Sequence, residues 1–256
     1  MIVMSQIVGN RPATDPTVSR KETMLNKQGP GKIDWCDWTW NPIKGCHHNC
    51  PYCYMLRMEK RFNGIMEPGI KPEYFDDFNH TRKVTPGDKI FVGSSGDAWG
   101  RWVPDTWIIP MLVVVSDFSQ FTFQFLTKNP DRYGEFSLPP NAWAGTSVDG
   151  TARTAGNVFK LSRSVSKANL KFISFEPLLA PPVVLLDYIG WVIIGANSNP
   201  GAEKAPDKWA DDLIQQARDR NIPVFVKDNY QYHARIKEFP ANQPLEITAN
   251  ERRISA

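Results

Sequence analysis

Residues 89–95 read KIFVGSS, a short continuous apolar run that ends in glycine and two serines, and this form decides the fold class. The same form recurs along the chain, as FTFQFLTK at 121–128, AWAGTSV at 142–148, LKFISFEP at 170–177, GWVIIGANS at 190–198 and IPVFVKD at 222–228. Because these runs are continuous rather than alternating, they predict strands that are buried on both faces of a parallel sheet.

Stretches with helical spacing lie between several of these runs, at 106–118, 152–165 and 207–221. A repeated order of strand and then helix predicts an α/β fold. With a first strand at 35–40 the chain holds six or seven such units, fewer than a complete eight-stranded barrel requires. We therefore predict a partial, open TIM-like barrel of the (β/α)6 kind.

The barrel is predicted to span residues 31–232, and no internal repeat divides it. Residues 1–30 mix Pro, Thr, Asn, Lys and Gly without apolar periodicity, which predicts an extended or mobile N-terminal arm. Residues 233–256 are assigned to a C-terminal tail.

Composition and charge limit the class of protein. The chain has 256 residues, 41% of them hydrophobic, and its net charge of +3 permits nucleic acid as a partner without demanding it. Four cysteines are too few for a disulfide scaffold. No export leader is recognisable, and every apolar run is interrupted before about 18 residues. We therefore expect a cytoplasmic protein without a membrane segment.

Three of the four cysteines lie in GCHHNCPYCY, residues 45–54, as Cys46, Cys50 and Cys53 with the spacing C-x3-C-x2-C. Three thiolates on one short loop can bind three corners of a small iron–sulfur cluster and leave the fourth corner open. An open position is what a catalytic metal site needs if a small molecule is to bind it.

Other interpretations of this loop remain open. Zinc could take the three cysteines together with His47, His48 or Cys36. The thiols could also be unligated or form a disulfide, although a reducing compartment disfavours bridges. Cys36 is most simply a buried apolar residue, and the two histidines are more simply exposed loop residues or outer donors than ligands.

Polar residues directly follow the predicted strands. In parallel α/β folds, ligands bind at the carboxyl ends of the strands, which is where these residues would lie. Caps and turns also favour Ser, Asp and Asn, but Lys128, Glu176 and Lys227 are not usual caps, and each directly ends an apolar run. The full set comprises Ser94, Ser95, Asp97, Thr127, Lys128, Asn129, Thr146, Ser147, Asp149, Glu176, Asn197, Ser198, Lys227 and Asp228.

The cysteine spacing, with the aromatic Tyr52 directly before the third cysteine, resembles the signature of the radical S-adenosylmethionine (SAM) superfamily. A wider string of motifs over residues 32–230 resembles, in order, an uncharacterised family of phage and prophage proteins, the three-Cys-motif proteins. Its blocks are WNPIKGC at 40–46, KIFVGSSGDAWG at 89–100, FQFLTKNPDR at 123–132, WAGTSVD at 143–149, FISFEPLL at 172–179 and WVIIGANSNPGA at 191–202. Asn197 and Glu203 depart from the residues typical of that family, which puts a shared substrate in doubt.

The resemblance implies a radical SAM type of partial barrel with two cofactors, a [4Fe-4S] cluster on Cys46, Cys50 and Cys53 and SAM. An electron from a donor such as flavodoxin or ferredoxin would cleave SAM to methionine and a 5'-deoxyadenosyl radical. The cofactor-binding residues implied are Tyr52 at the adenine, Ser95, Gly96 and Asp97 at the SAM amino group, Lys128 at a carboxylate or substrate phosphate, Ser147 and Glu176 at the ribose or amino group, and Gly195 near the adenine. Asn197, Lys227 and Trp99 are expected to face the substrate.

Several functions are compatible with these features. The first is a radical SAM enzyme that acts on a nucleic acid, a nucleotide or a nucleotide-derived metabolite, with Trp99, Trp102, Trp107 and Arg101 as candidates to grip a flat ring. Core packing is the simpler explanation of most tryptophans. The second is a radical SAM tailoring enzyme for a peptide or small metabolite. The third is a zinc-stabilised nucleic-acid-binding module without catalysis.

Overall fold

A computed structural model describes residues 25–29, 31–80, 83–182 and 186–241. Within them the apolar runs form strands and the stretches with helical spacing form helices. The strands are β1 Leu25–Lys27, β2 Trp38–Trp40, β3 Ile43–Lys44, β4 Gly69–Ile70, β5 Lys89–Val92, β6 Thr122–Thr127, β7 Ala142–Ser147, β8 Lys171–Phe175, β9 Trp191–Ile194 and β10 Val224–Val226. The α-helices are α1 Tyr54–Glu59, α2 Asp77–His80, α3 Asp105–Asp117, α4 Asn157–Ser164 and α5 Asp207–Arg218.

The main sheet has eight strands in the order β1-β2-β5-β6-β7-β8-β9-β10. β1 is antiparallel to β2, and every other neighbouring pair in this sheet is parallel. Helices α3, α4 and α5 connect β5 to β6, β7 to β8 and β9 to β10. The predicted α/β class with a mostly parallel sheet is confirmed. The short β3 and β4 form a separate antiparallel pair.

Successive residues of the strands point to two different apolar layers. In β5, Ile90 and Val92 pack in the layer that includes the helices, whereas Phe91 packs in a second, aromatic cluster on the opposite face. Burial on both faces explains why the runs are continuous in sequence. The inner cluster comprises Trp35, Cys36, Phe91, Trp143, Phe172, Trp191, Ile193 and Phe225.

The sheet is strongly curved around this inner cluster. In a flat sheet, β5 and β9 would be four strand spacings apart, or about 19 Å. The ring of Trp35 nevertheless lies 4.5 Å from that of Phe91 on β5 and 6.2 Å from that of Trp191 on β9. Asp34, just before Trp35, also forms an ion pair of 2.6 Å with Lys237, which follows β10.

Parts of the predicted N-terminal arm and C-terminal tail belong to the folded structure. Residues 1–24 and 30 of the predicted arm lie outside the described residues, but residues 25–27 of it form β1 and pair with β2. Residues 233–241 of the predicted tail pack on the sheet, where the Ile236 carbonyl accepts from Val226 N–H at 2.9 Å. The rest of the tail, 242–256, lies outside the described residues.

In the described part of the chain, no helix is long and apolar enough to cross a membrane. The longest α-helix, α3, has 13 residues, compared with about 20 for a membrane span.

Candidate cofactor and substrate cavity

A cavity of about 460 Å³ lies at the carboxyl ends of the parallel strands. This volume is in the range that holds one cofactor-sized ligand. Among the residues that the resemblance assigns to the cluster, SAM or the substrate, most lie in its wall, and Ser95, Gly195 and Trp99 do not line it. Those that line it are Cys46, Cys50, Tyr52, Cys53, Gly96, Asp97, Lys128, Ser147, Glu176, Asn197 and Lys227.

A larger and shallower cavity of about 1190 Å³ lies at the opposite, amino ends of the strands. Gln120, Asn141, Lys167 and Gly190 are among its lining residues, and none of the predicted site residues or cysteines lines it. Ligand sites of parallel α/β folds lie at the carboxyl ends of the strands, so the smaller cavity is the candidate functional site.

Two glycines allow the cysteine loop to lie directly against the end of β5. Gly45 N–H donates to the Ser95 carbonyl, and Asp97 N–H donates to the Gly45 carbonyl, both at 3.1 Å. A Cβ on Gly96 would lie 2.5 Å from the Gly45 carbonyl oxygen, so a larger residue would push the two segments apart. Gly45 itself has φ of +82°, a conformation that favours glycine. Ser95, Gly96 and Asp97 therefore hold the loop that carries the cysteines.

Asp97 is buried and accepts hydrogen bonds from several directions. His48 Nε2 and the Thr127 hydroxyl lie 2.7 and 2.8 Å from Oδ2, and the backbone N–H of Lys128 donates to the same oxygen at 3.1 Å. The backbone N–H of Trp99 donates to Oδ1 at 3.0 Å. Burial alone would raise the pKa of Asp97. The pKa is lowered instead, because the hydrogen bond and charge of His48 and the hydrogen bonds from Lys128 N–H and the Thr127 hydroxyl outweigh the effect of burial.

These bonds bear on two predictions. The expected role of Asp97 at the SAM amino group stays a prediction, and a carboxylate already bound by protein donors on both oxygens is better suited to fix the cysteine loop. His48 contacts Asp97 at 2.7 Å, and its expected role as an outer donor stays a prediction. His47 lies 3.6 Å from the exposed Glu67.

The loop after β7 holds the cysteine loop from the other side. The Tyr52 hydroxyl donates to Asp149 Oδ2 at 2.7 Å, and the Thr154 hydroxyl donates to Oδ1 at 2.7 Å. Arg153 donates to the His48 carbonyl at 2.8 Å, and its guanidinium lies 4.0 Å from Cys50 Sγ. Burial, followed by the bond to Asp149, raises the pKa of Tyr52, so its hydroxyl stays a donor. The sequence offered no sign of Arg153, which ends no strand.

The cysteines differ in their surroundings. Cys46, Cys50 and Cys53 are free thiols that line one cavity, whereas Cys36 is buried in the inner aromatic cluster, as predicted. Burial, together with the nearby charges of Asp97 and the other thiols, raises the pKa of Cys46 to about 12, so metal binding at this thiol would release a proton.

The three thiols suit an iron–sulfur cluster better than a single metal ion. In the described ranges, no three His, Cys, Asp or Glu side chains converge as ligands of one metal ion. A [4Fe-4S] cluster makes a different demand, because each iron takes its own thiolate and the thiolates need not converge on one point. Three free thiols around one cavity fit that donor set.

The far wall of the cavity carries a half-buried ion pair between Glu176 and Lys227, whose side chains are 25% and 12% exposed. Gly195 leaves room for it, because a Cβ there would lie 3.0 Å from Lys227 Cδ and 3.1 Å from Glu176 Cγ. The predicted glycine thus gives space to the ion pair rather than lining the cavity itself. Asn197 lies beside this pair and accepts from the backbone N–H of Asn199 at 3.0 Å.

Lys128 is a half-buried cation of the cavity wall. Its Nζ lies 5.6 Å from the centre of the Tyr52 ring, and it forms no ion pair with any residue that the structure describes. The cavity therefore has a cation available for a carboxylate or phosphate of a ligand.

The tryptophans predicted to grip a ring occupy two different environments. Trp99 is only 1% exposed and packs against Phe125 and Tyr133, so it has no free ring face. Trp102 lies against the cysteine loop, with its ring 4.8 Å from that of His48. Arg101 between them pairs with Glu135 instead of a ring.

A family model described as a protein of unknown function (DUF5131) matches residues 30–251, which is most of the chain. No curated protein and no solved structure matches it.

Proposed function

The chain belongs to the DUF5131 family of proteins of unknown function, and we propose that it is a radical SAM enzyme with a partial barrel fold. One observation carries this proposal. The three thiols of a C-x3-C-x2-C loop line the same cavity as the polar residues that end the parallel strands. The strong curvature of the sheet around Trp35 supports the partial barrel.

Cys46, Cys50 and Cys53 would hold the cluster, and SAM would occupy the rest of the cavity. When bound, such a cluster supplies one electron for the reductive cleavage of SAM, and the resulting 5'-deoxyadenosyl radical takes hydrogen from a substrate. A flavodoxin or a ferredoxin is the kind of protein that delivers this electron. We also propose a cytoplasmic location, since a reducing compartment would keep the three thiols available as ligands.

The residues of the chain position and protect the reactants. Asp97 and Asp149 hold the cysteine loop through His48 and Tyr52. Lys128 offers a cation to an anionic group of the cofactor or substrate, consistent with its lack of an ion pair among the described residues. Trp35 and Phe91 of the inner aromatic cluster line the cavity, and their apolar surface would help to exclude water from it.

The experiment is anaerobic purification and cluster reconstitution, followed by iron, sulfide and zinc analysis and electron paramagnetic resonance of the reduced protein with and without SAM. We expect about four irons per chain and a spectrum that changes when SAM is added. Substitution of Cys50 by alanine should abolish the signal. The matched control is Cys36→Ala, which removes a buried thiol outside the cavity and should retain the cluster.

A single tight zinc and no SAM-dependent signal would reject the proposal and support the zinc-stabilised binding module. A cluster with a SAM-dependent signal would leave the substrate to be identified among nucleic acids, nucleotides, peptides and small metabolites.

A further inference from the structure

The segment directly after the last cysteine forms a surface that the proposed chemistry does not use. We define the α1 surface as Tyr54, Arg57, Met58, Lys60, Arg61 and Phe62, all of which are exposed. It covers α1 and the turn that follows it.

Three side chains of the α1 surface form an exposed apolar stripe. Tyr54, Met58 and Phe62 are spaced four residues apart, and their exposed fractions are 45%, 41% and 49%. Phe62 N–H donates to the Met58 carbonyl at 2.7 Å, so the helical turn continues past the end of α1 and keeps the stripe on one face. Exposed apolar side chains that are contiguous usually mark an interaction site.

A row of cations accompanies this stripe. Arg57 and Arg61 are also four residues apart, Lys60 lies beside them, and none of the three forms an ion pair within the described ranges. The one carboxylate of the segment, Glu59, accepts instead from the backbone N–H groups of Gly64 and Met66, at 2.7 and 3.0 Å. Glu59 offsets one of the three positive charges, so residues 54–62 keep a net charge of +2 (three cations and one carboxylate).

The α1 surface is continuous with the cavity. Tyr54 lines the cavity and directly follows Cys53. Its hydroxyl donates to the Ser94 carbonyl at 2.8 Å, which fixes the ring at the rim. A chain-like ligand that lies along the stripe would reach the cavity at this ring.

We propose that the α1 surface binds a single strand of nucleic acid and directs it towards the cavity. Phosphates would pair with Arg57, Lys60 and Arg61, and bases would stack on Tyr54 and Phe62. Rings interleaved with cations favour this ligand, because a single strand presents phosphates to the cations and bases to the rings along its length. Binding to a membrane surface depends on the apolar area that is buried, and the α1 surface offers only Tyr54, Met58 and Phe62 for that purpose. The inference rests on the proposed function only for the reaction that follows binding.

The test is fluorescence anisotropy with a labelled oligodeoxythymidylate of about 15 nucleotides, at several salt concentrations. The double variant Arg57→Gln/Arg61→Gln should weaken binding by about tenfold or more and reduce the salt slope by about 1.4, because each lost phosphate contact accounts for about 0.7. Phe62→Ala should weaken binding by about tenfold without a change of slope, since it removes stacking and no charge. The matched control is Lys208→Gln, at an exposed position of α5, which should leave both the affinity and the salt slope unchanged.

Several results would overturn the inference. These are no binding by the unsubstituted protein, unchanged binding by the double variant, or equal competition by polyglutamate, which would show charge attraction alone. Capture by anionic vesicles without any binding of the oligonucleotide would also reject it. Circular dichroism of each variant verifies that it is folded.

The test also separates this inference from the proposed function, because binding is measured with and without the reconstituted cluster. Oligonucleotide binding in a protein without a SAM-dependent signal supports the α1 surface and rejects radical chemistry. A SAM-dependent signal in a protein that does not bind the oligonucleotide retains the proposed function and overturns the α1 surface.

Discussion

Substitution of Asp97 by alanine should lower the free energy of unfolding by about 3–5 kcal/mol. The side chain of Asp97 is only 6% exposed, and removing it leaves the Thr127 hydroxyl and the backbone N–H groups of Trp99 and Lys128 without their acceptor. Each buried donor that loses its partner costs about 1–3 kcal/mol. His48, whose side chain is 19% exposed, can turn to water instead and adds less.

Urea unfolding followed by tryptophan fluorescence measures this loss. Thr127→Val provides a smaller step, because it removes one donor to Asp97 at 2.8 Å and the acceptor of the Asn129 N–H at 2.9 Å, and it should cost about 1–2 kcal/mol. It keeps the prediction testable if the alanine variant does not fold. The control Asp228→Ala removes an exposed carboxylate paired with Lys237 at 2.8 Å and should cost less than about 1 kcal/mol.

A loss below about 1 kcal/mol for Asp97→Ala would refute the reasoning. It would mean that water replaces the carboxylate at the end of β5, and that the cysteine loop does not depend on this anchor. An equal loss for the control would show a general sensitivity to removal of a carboxylate.

Three further predictions concern the same region. Gly96→Ala should cost about 1–3 kcal/mol in urea unfolding and reduce iron uptake, because its Cβ would lie 2.5 Å from the Gly45 carbonyl oxygen. Lys227→Met should cost about 1–3 kcal/mol by leaving Glu176 unpaired, and adding Glu176→Gln should recover most of that loss in a double-mutant cycle. Because the folded-state pKa of Asp97 is lowered, its contribution is present above the ordinary value of 3.8 and is lost as pH falls through the folded value. Acid unfolding curves below about pH 4 should therefore be less steep for Asp97→Ala than for the unsubstituted protein.

The fold could be predicted where strands are buried on both faces, because such strands are continuous apolar runs in the sequence. KIFVGSS gives a strand at Lys89–Val92 with its glycine and serines directly after it, and the helices at 106–118 and 207–221 are shifted by only a few residues. β1 was not predicted as a strand, because its sequence LNK has one buried residue and two exposed ones. Its pairing with β2 is a tertiary contact that no short pattern reveals.

The membership of the site was easier to predict than the roles of its residues. Carboxyl ends of parallel strands lie at one edge of the sheet, so Lys128, Glu176 and Lys227 could be expected at the same edge. The curvature of the sheet, which the sequence does not reveal, brings all three into the wall of one cavity. The partners of Tyr52 could not be foreseen, because Asp149 lies 97 residues away along the chain. Trp99 lies two residues after Asp97 in the chain, yet its side chain is buried in the core. A turn of two residues is enough to reverse the direction in which a side chain points.

The anchoring of the cysteine loop bears on the kind of metal site that we propose for it. The loop is bound to β5 through Gly45 and Asp97, and to the loop after β7 through Tyr52 and Arg153. A structural metal typically organises a loop that has few such bonds, and its binding energy then folds the chain. Here protein hydrogen bonds already fix the segment that carries the three thiols, so folding of this segment would not depend on metal binding. In the proposed enzyme, the energy of metal binding would then be available to hold a reactive centre with an open position beside a cavity, which is the arrangement that catalysis requires.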